Sequence, residues 1–217
     1  MKAITDQWVR GYRLGAIPLL LFFSACSQWT ASFIDVRSNA ETMVMGAYSA
    51  TPELNQRAVQ DPSQKICSLM PDESLTQDQM TFVTDAAKHS VSYPNSGHLT
   101  GDWKKGAELV ADGTGQRIVN GQIEKLARNG ALCNNCHQID PKEVNAGNLG
   151  PSLVGYAKLR GRSETVIRYT YEKIYNAWAF LPCSNMPRLG ANHFLTPEQI
   201  ADVVAYLTDP QSPVNAP

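Results

Sequence analysis

Apolar residues recur at three- and four-residue intervals in segment after segment of this chain, the spacing of helices with one buried face. The stretch "LTPEQIADVVAYLTDP" shows it best. Ile200, Val203, Val204 and Leu207 form one stripe, Thr196 and Gln199 make a capping box, Pro197 takes the first helical position, and Pro210 ends the run. "RSETVIRYTYEKIYNAWAF" puts Val166, Tyr169 and Ile174 on one face, and "GDWKKGAELVADG" does the same with Trp103, Ala107 and Val110 before a glycine end. Further upstream, "SLTQDQMTFVTDAAKHSV" aligns Met80, Val83 and Ala87. Ser38-Asn39-Ala40-Glu41 reads as a capping box opening a short helix with Met43, Val44 and Ala47, and Thr51-Pro52 and Asp61-Pro62 each pair a cap with a first-turn proline. The chain therefore reads as all-α. "YPNSGH" breaks the pattern and sets a boundary there, giving a helical extension over 33–98, a main domain over 99–210 and a tail over 211–217. Within the main domain, the glycine-rich "GTGQRIVNG" and the loop "GNLGPSLVGY" separate helices. No internal repeat or low-complexity tract is visible.

Composition narrows this only moderately. With 217 residues, 43% hydrophobic and 18% charged, the chain is globular. A formal net charge of −1 supplies no strong field to attract nucleic acid or an anionic membrane. The N-terminus reads differently from the rest. Lys2, Arg10 and Arg13 precede the apolar core "AIPLLLFFSAC", too short to span a bilayer as a helix, so residues 1–26 read as an export signal. Its end has two readings. Phe23-Ser24-Ala25-Cys26 resembles a lipobox in which Cys26 is lipidated, although phenylalanine stands where an aliphatic residue is usual. Ala25-Cys26-Ser27 also fits a small-x-small cleavage site. Either way the expected compartment is the periplasm.

The chemistry concentrates in "ALCNNCHQID". A chain with five cysteines and four histidines sets Cys133, Cys136 and His137 within five positions. C-x-x-C-H is the haem c attachment pattern: the thiols add to the two vinyl groups, and the adjacent imidazole points at the iron. A redox dithiol would expect a βαβ context, and a zinc site would need a second ligand pair at regular spacing. The remaining cysteines, Cys26, Cys67 and Cys183, are scattered singly. One covalently bound haem c is the cofactor expected.

The order of helix, C-x-x-C-H, proline loop, helix, methionine segment and terminal helix resembles the class I cytochrome c fold. The resemblance implies that the first and last helices cross beside the haem and that a methionine from a late loop is the sixth ligand. Met186, in "LPCSNMPRLG" between Pro182 and Pro187, is that methionine; His193 is the rival, and His89 and His98 precede the domain. A thioether is a neutral, soft ligand that favours ferrous iron. In the same fold a proline carbonyl in the loop, here at Pro151, accepts the proton on the far nitrogen of the ligand histidine and fixes its ring.

Several stretches together narrow the resemblance: "GDWKKGAELV", "CNNCHQID", "GNLGPSLVGYAKLRG", "IYNAW", "CSNMPRLGANHFLTPEQIADVVAYL" and "DPQSPVN". From about Ile66 onward the chain resembles SoxX, the monohaem subunit of the SoxAX complex of periplasmic sulfur oxidation. His193-Phe194 departs from the glycine-isoleucine often found there, and "VADGTGQRIVNGQIEKLARNGAL" is a long insertion for a plain cytochrome c. The resemblance implies an electron-transfer subunit of an L-cysteine S-thiosulfotransferase, with no catalytic residue of its own. Its partners would be a SoxA subunit, the SoxYZ carrier transiently, and a downstream soluble cytochrome c. A free monohaem carrier for another chain is the competing reading. The extension over 33–98 is the expected contributor to the SoxA interface.

Cysteine arithmetic adds one expectation. Setting aside Cys26 and the two haem cysteines leaves Cys67 and Cys183, an even pair in an oxidising compartment. The pair suggests a disulfide, which would tether the loop of Met186 to the N-terminal extension and hold the methionine against leaving ferric iron; two separate buried thiols are the alternative.

Overall fold

The computed structural model describes residues 42–47, 59–69, 74–113, 116–119, 122–125, 130–143 and 145–216. The export signal with Cys26, the capping box at Ser38–Glu41 and the Thr51-Pro52 start lie outside them. The chain divides into two compact units, Met1–Ser49 and Ala50–Pro217. In the first, residues 42–47 are helical, with Met43 and Val44 exposed.

The second unit opens with α1 (Pro62–Cys67), where Asp61 and Gln64 form a reciprocal capping box ahead of the first-turn proline. α2 (Gln77–His89) has the same device at Thr76 and Gln79, and it buries Val83 and Ala87 as the pattern predicts. α3 (Trp103–Ala111) starts at the Asp102 cap and buries Gly106, Leu109 and Val110. Its contact face is thus rotated toward Leu109, with Trp103 and Ala107 at its margin.

The all-α fold class holds with one correction to the reading of a chain helical throughout. The glycine-rich insertion contains an antiparallel hairpin, β1 (Gln116–Val119) with β2 (Gln122–Lys125), in register Val119↔Gln122. The two residues between the strands in the sequence are Asn120-Gly121, the dipeptide that most favours two-residue hairpin links.

After the hairpin come α4 (Tyr156–Arg160), α5 (Glu164–Tyr175) and α6 (Pro197–Thr208). α5 buries Thr170, Tyr171, Ile174 and Tyr175. Tyr169, expected on that face, instead stands at the surface with its ring edge-on to Phe180 at 4.7 Å. α6 carries the predicted cap and stripe, and in addition buries Ala201, Ala205, Tyr206 and Thr208, so it is enclosed almost all round.

α3 crosses α6 at close range. The Gly101 amide donates to the Ala201 carbonyl at 2.9 Å and the Asp102 amide to Asp202 Oδ1 at 2.7 Å. At Gly106 a Cβ would run into the Asp202 carbonyl and lie 2.8 Å from Tyr206 Cβ. Only glycine lets the two backbones approach this far.

α1 and α2, upstream of 99, belong to this same unit. The Tyr171 hydroxyl donates to the Ser92 carbonyl at 2.7 Å, Asn176 Nδ2 to Ser90 Oγ at 2.9 Å, and the Tyr93 hydroxyl to Glu172 at 2.8 Å. At the other end residues 211–216 are a packed element. Asn215 Nδ2 donates to the carbonyls of Leu207 and Asp209, and its Oδ1 accepts from the Ala157 amide, joining the end of α6 to the start of α4.

Candidate functional site

Cys133 to Asn135 form a 3-10 turn, and the chain entering it after the hairpin returns to the C-terminal end of α3. The Ala131 amide donates to Leu109 O at 2.8 Å and the Leu132 amide to Asp112 O at 3.0 Å, so the incoming chain satisfies carbonyls that the end of the helix leaves open. Leu132 takes a left-handed conformation, φ 42°, to turn the chain into the motif. Within it the amides of Cys136 and His137 both bond the Cys133 carbonyl, at 3.1 and 2.9 Å. Both thiols are free and half-buried. Burial pushes the Cys133 thiol up to about 11, so it is a protonated thiol at neutral pH rather than a reactive thiolate.

The loop after the motif folds back over it. The amides of Gly147, Gly150 and Leu153 donate to the carbonyls of Asn134, Cys136 and Gln138, each at 2.8 Å. This brings Gly150 flat against the His137 ring, where a Cβ would overlap the imidazole. It also brings the Pro151 carbonyl to 2.7 Å from His137 Nδ1. A carbonyl only accepts, so Nδ1 carries the proton and Nε2 is left with its lone pair.

Met186 lies on a loop between α5 and α6. It is half-buried and packs against the same apolar core as Cys133, the core built by α3, α5 and α6. Its amide bonds Ser184 Oγ at 3.2 Å, and the Ser184 carbonyl accepts from Trp178 Nε1 at 2.8 Å. Cys183, three residues earlier, is disulfide-bonded to Cys67 at the end of α1, with Cα atoms 5.3 Å apart. Two residues later, Arg188 forms an ion pair with Asp61 at 2.9 Å and lies 4.3 Å above the Trp178 ring. In the sequence Asp61 reads only as a cap, and nothing there gives Trp178 a role. No local signal marks a pair 127 residues apart.

His193, the rival ligand, is exposed, as are His89 and His98. Tyr206 of α6 borders the motif: burial first, and then Cys133, Asp140 and Glu143, push its phenol above the ordinary range.

The donor set fits a haem c. It has two free thiols on one turn, an imidazole with Nδ1 engaged and Nε2 open, and a thioether on the shared apolar core. Among the described residues no group of three or more His, Cys, Asp or Glu side chains is placed to hold a metal ion directly. Among them, too, no helix is long and apolar enough to cross a membrane.

Helices crossing beside a C-x-x-C-H turn, with a proline carbonyl on the histidine, define a cytochrome c, a class whose members hold their haem by covalent bonds. The chain contains a cytochrome c domain: the family model Cytochrome c matches residues 103–209. It is also similar to an "Uncharacterized lipoprotein" of Aquifex aeolicus (strain VF5), with 40% identity over 162 residues, 73% of this chain and 74% of that protein.

Proposed function

We propose that this cytochrome c domain is a monohaem electron carrier with His137 and Met186 as axial ligands, and that it serves as the SoxX-type subunit of a SoxAX complex. The observation that carries the part of His137 is the 2.7 Å bond between its Nδ1 and the Pro151 carbonyl; Met186 is supported by its packing on the same core as Cys133. The Pro151 bond leaves Nε2 as the free donor and strengthens it by engaging the far proton. When bound, the haem supplies a one-electron ferric/ferrous couple. The protein's part would be to offer the His137 imidazole and the Met186 thioether to the iron and to surround the group with the apolar core that Cys133 and Met186 pack against, Leu109 and Tyr206 among it.

The SoxAX assignment rests on the shared stretches from Ile66 onward. In that complex, thiosulfate is joined oxidatively to a cysteine of the SoxYZ carrier on the SoxA side, in an L-cysteine S-thiosulfotransferase reaction. This chain would relay the released electrons, one at a time, to a soluble cytochrome c.

Export to the periplasm follows from the signal-like N-terminus and the extracytoplasmic site of thioether formation. The name of the Aquifex relative supports lipidation at Cys26 over cleavage.

Purification of the tagged holoprotein from its native host tests the assignment. A SoxA-type haem protein is expected to copurify in stoichiometric amount, and the pair to couple thiosulfate to the carrier cysteine. Recovery of the chain alone, with full electron transfer to a cytochrome c, would instead identify a free carrier.

A further inference from the structure

The loop that carries Met186 has little regular structure of its own. From Cys183 to Pro187 it is neither helix nor strand, and Cys183 sits in the left-handed region at φ 59°. Free to move, such a loop would let the thioether leave the iron readily, since a neutral thioether is a weak ligand for ferric iron. What restrains it comes from outside the loop. Cys183 is bonded to Cys67, the last residue of α1. Arg188 is paired with Asp61, the residue that caps the start of α1. The two ends of one short helix are thus fastened on either side of Met186.

The second fastening is well built. The Arg188 side chain is only 12% exposed, so its charge needs a partner, and Asp61 supplies it through Oδ2. Its guanidinium lies over Trp178, and the indole of Trp178 in turn holds the Ser184 carbonyl within the loop. Asp61 Oδ1 meanwhile accepts from the Gln64 amide, which fixes the carboxylate on its helix. α1 lies outside the part of the chain that matches the family, residues 103–209.

We propose that α1 is a splint for the sixth ligand, and that Asp61, Arg188 and the Cys67–Cys183 bridge are positioning residues that suppress departure of Met186 from ferric iron. This rests on Met186 being the ligand, and the two ideas separate experimentally. An added ligand such as imidazole binds only the fraction of molecules whose methionine is off the iron. Its apparent affinity therefore rises in proportion to that fraction.

The test is imidazole titration of ferric holoprotein, with thermal melting alongside. Asp61→Asn is the clean variant, because asparagine caps a helix as well as aspartate does while removing the charge that Arg188 uses. It is expected to bind imidazole about tenfold more tightly than wild type, and Cys67→Ser with Cys183→Ser to do so at least as strongly. Asp85→Asn, which breaks the exposed 3.9 Å pair with Lys88 on α2, is expected to leave the titration unchanged.

If Asp61→Asn and the double serine variant titrate as wild type does, the splint is refuted even if their melting falls, and Met186 ligation stands. If Met186→Ala keeps the wild-type ferric spectrum, Met186 is not the ligand and the splint falls with it.

Discussion

Gly150 and Pro151 perform separable tasks for the same histidine. Gly150 leaves room for the imidazole, since any Cβ there would overlap the ring. Pro151 contributes a backbone carbonyl, which a change of side chain retains. Gly150→Ala is therefore expected to displace the ring, at about 1–3 kcal/mol for overpacking, and to reduce the yield of six-coordinate holoprotein sharply. Pro151→Ala is expected to cost at most about 1 kcal/mol through the freer unfolded chain and to leave the spectrum alone. Haem-stained gels and optical spectra of the two variants check this, and equal losses in both would show that the glycine is not the spacer. Much of the site at this scale was legible in the sequence: a C-x-x-C-H motif is local, and its three residues declare their chemistry by spacing alone. The role of Gly150 was not, because it depends on a loop folding back across the motif.

At the scale of elements, the α3–α6 crossing supports the site, and its tightest point is Gly106 against Asp202 and Tyr206. Gly106→Ala gains helix propensity but forces the helices apart, and overpacking of about 1–3 kcal/mol outweighs a propensity gain of about 1 kcal/mol. Denaturant unfolding is expected to show net destabilisation; a more stable variant would mean that the crossing is looser than it stands here.

α5 makes a pH-dependent contribution. Burial, and then Tyr175, Glu198 and Tyr93, push the Tyr171 phenol well above its usual value. The folded state thus holds this proton more tightly than the unfolded state does. The associated stability is complete below about pH 10 and is lost as pH rises beyond it. Tyr171→Phe loses the bond to Ser92, so at neutral pH it should be less stable, by about 1 kcal/mol. Melting across the alkaline range should show that gap narrowing, whereas a gap that stays constant with pH would contradict the assignment.

The helices themselves were readable because caps and stripes are short-range signals. Tyr169 was misplaced because a partly aromatic stripe at helical spacing fits two adjacent faces, and packing against α6 selected Tyr171 and Tyr175. The hairpin was passed over although Asn120-Gly121 marks it, since glycine-rich segments also read as loop.

For the whole molecule, the Cys67–Cys183 bridge closes a loop of 116 residues. Chain entropy assigns such a loop a stabilisation of about 5 kcal/mol. Replacing both cysteines by serine is expected to lower the unfolding free energy by up to that amount, read from denaturant melts of holoprotein. No loss at all would show the bridge to be idle. Cysteine arithmetic pointed to this bridge, with two separate thiols as the alternative. What no local pattern showed is that Asp61 and Arg188 join the same two segments, or that α1 and α2 pack into one unit with the haem domain rather than beside it.

The absorption spectrum of the ferric holoprotein tests the His137/Met186 haem most directly. The expected result is a low-spin, six-coordinate spectrum with the weak far-red band of methionine-to-iron charge transfer, the band vanishing in Met186→Ala while the haem stays covalently attached. A high-spin ferric spectrum in the wild type, or a far-red band that survives in Met186→Ala, would contradict it.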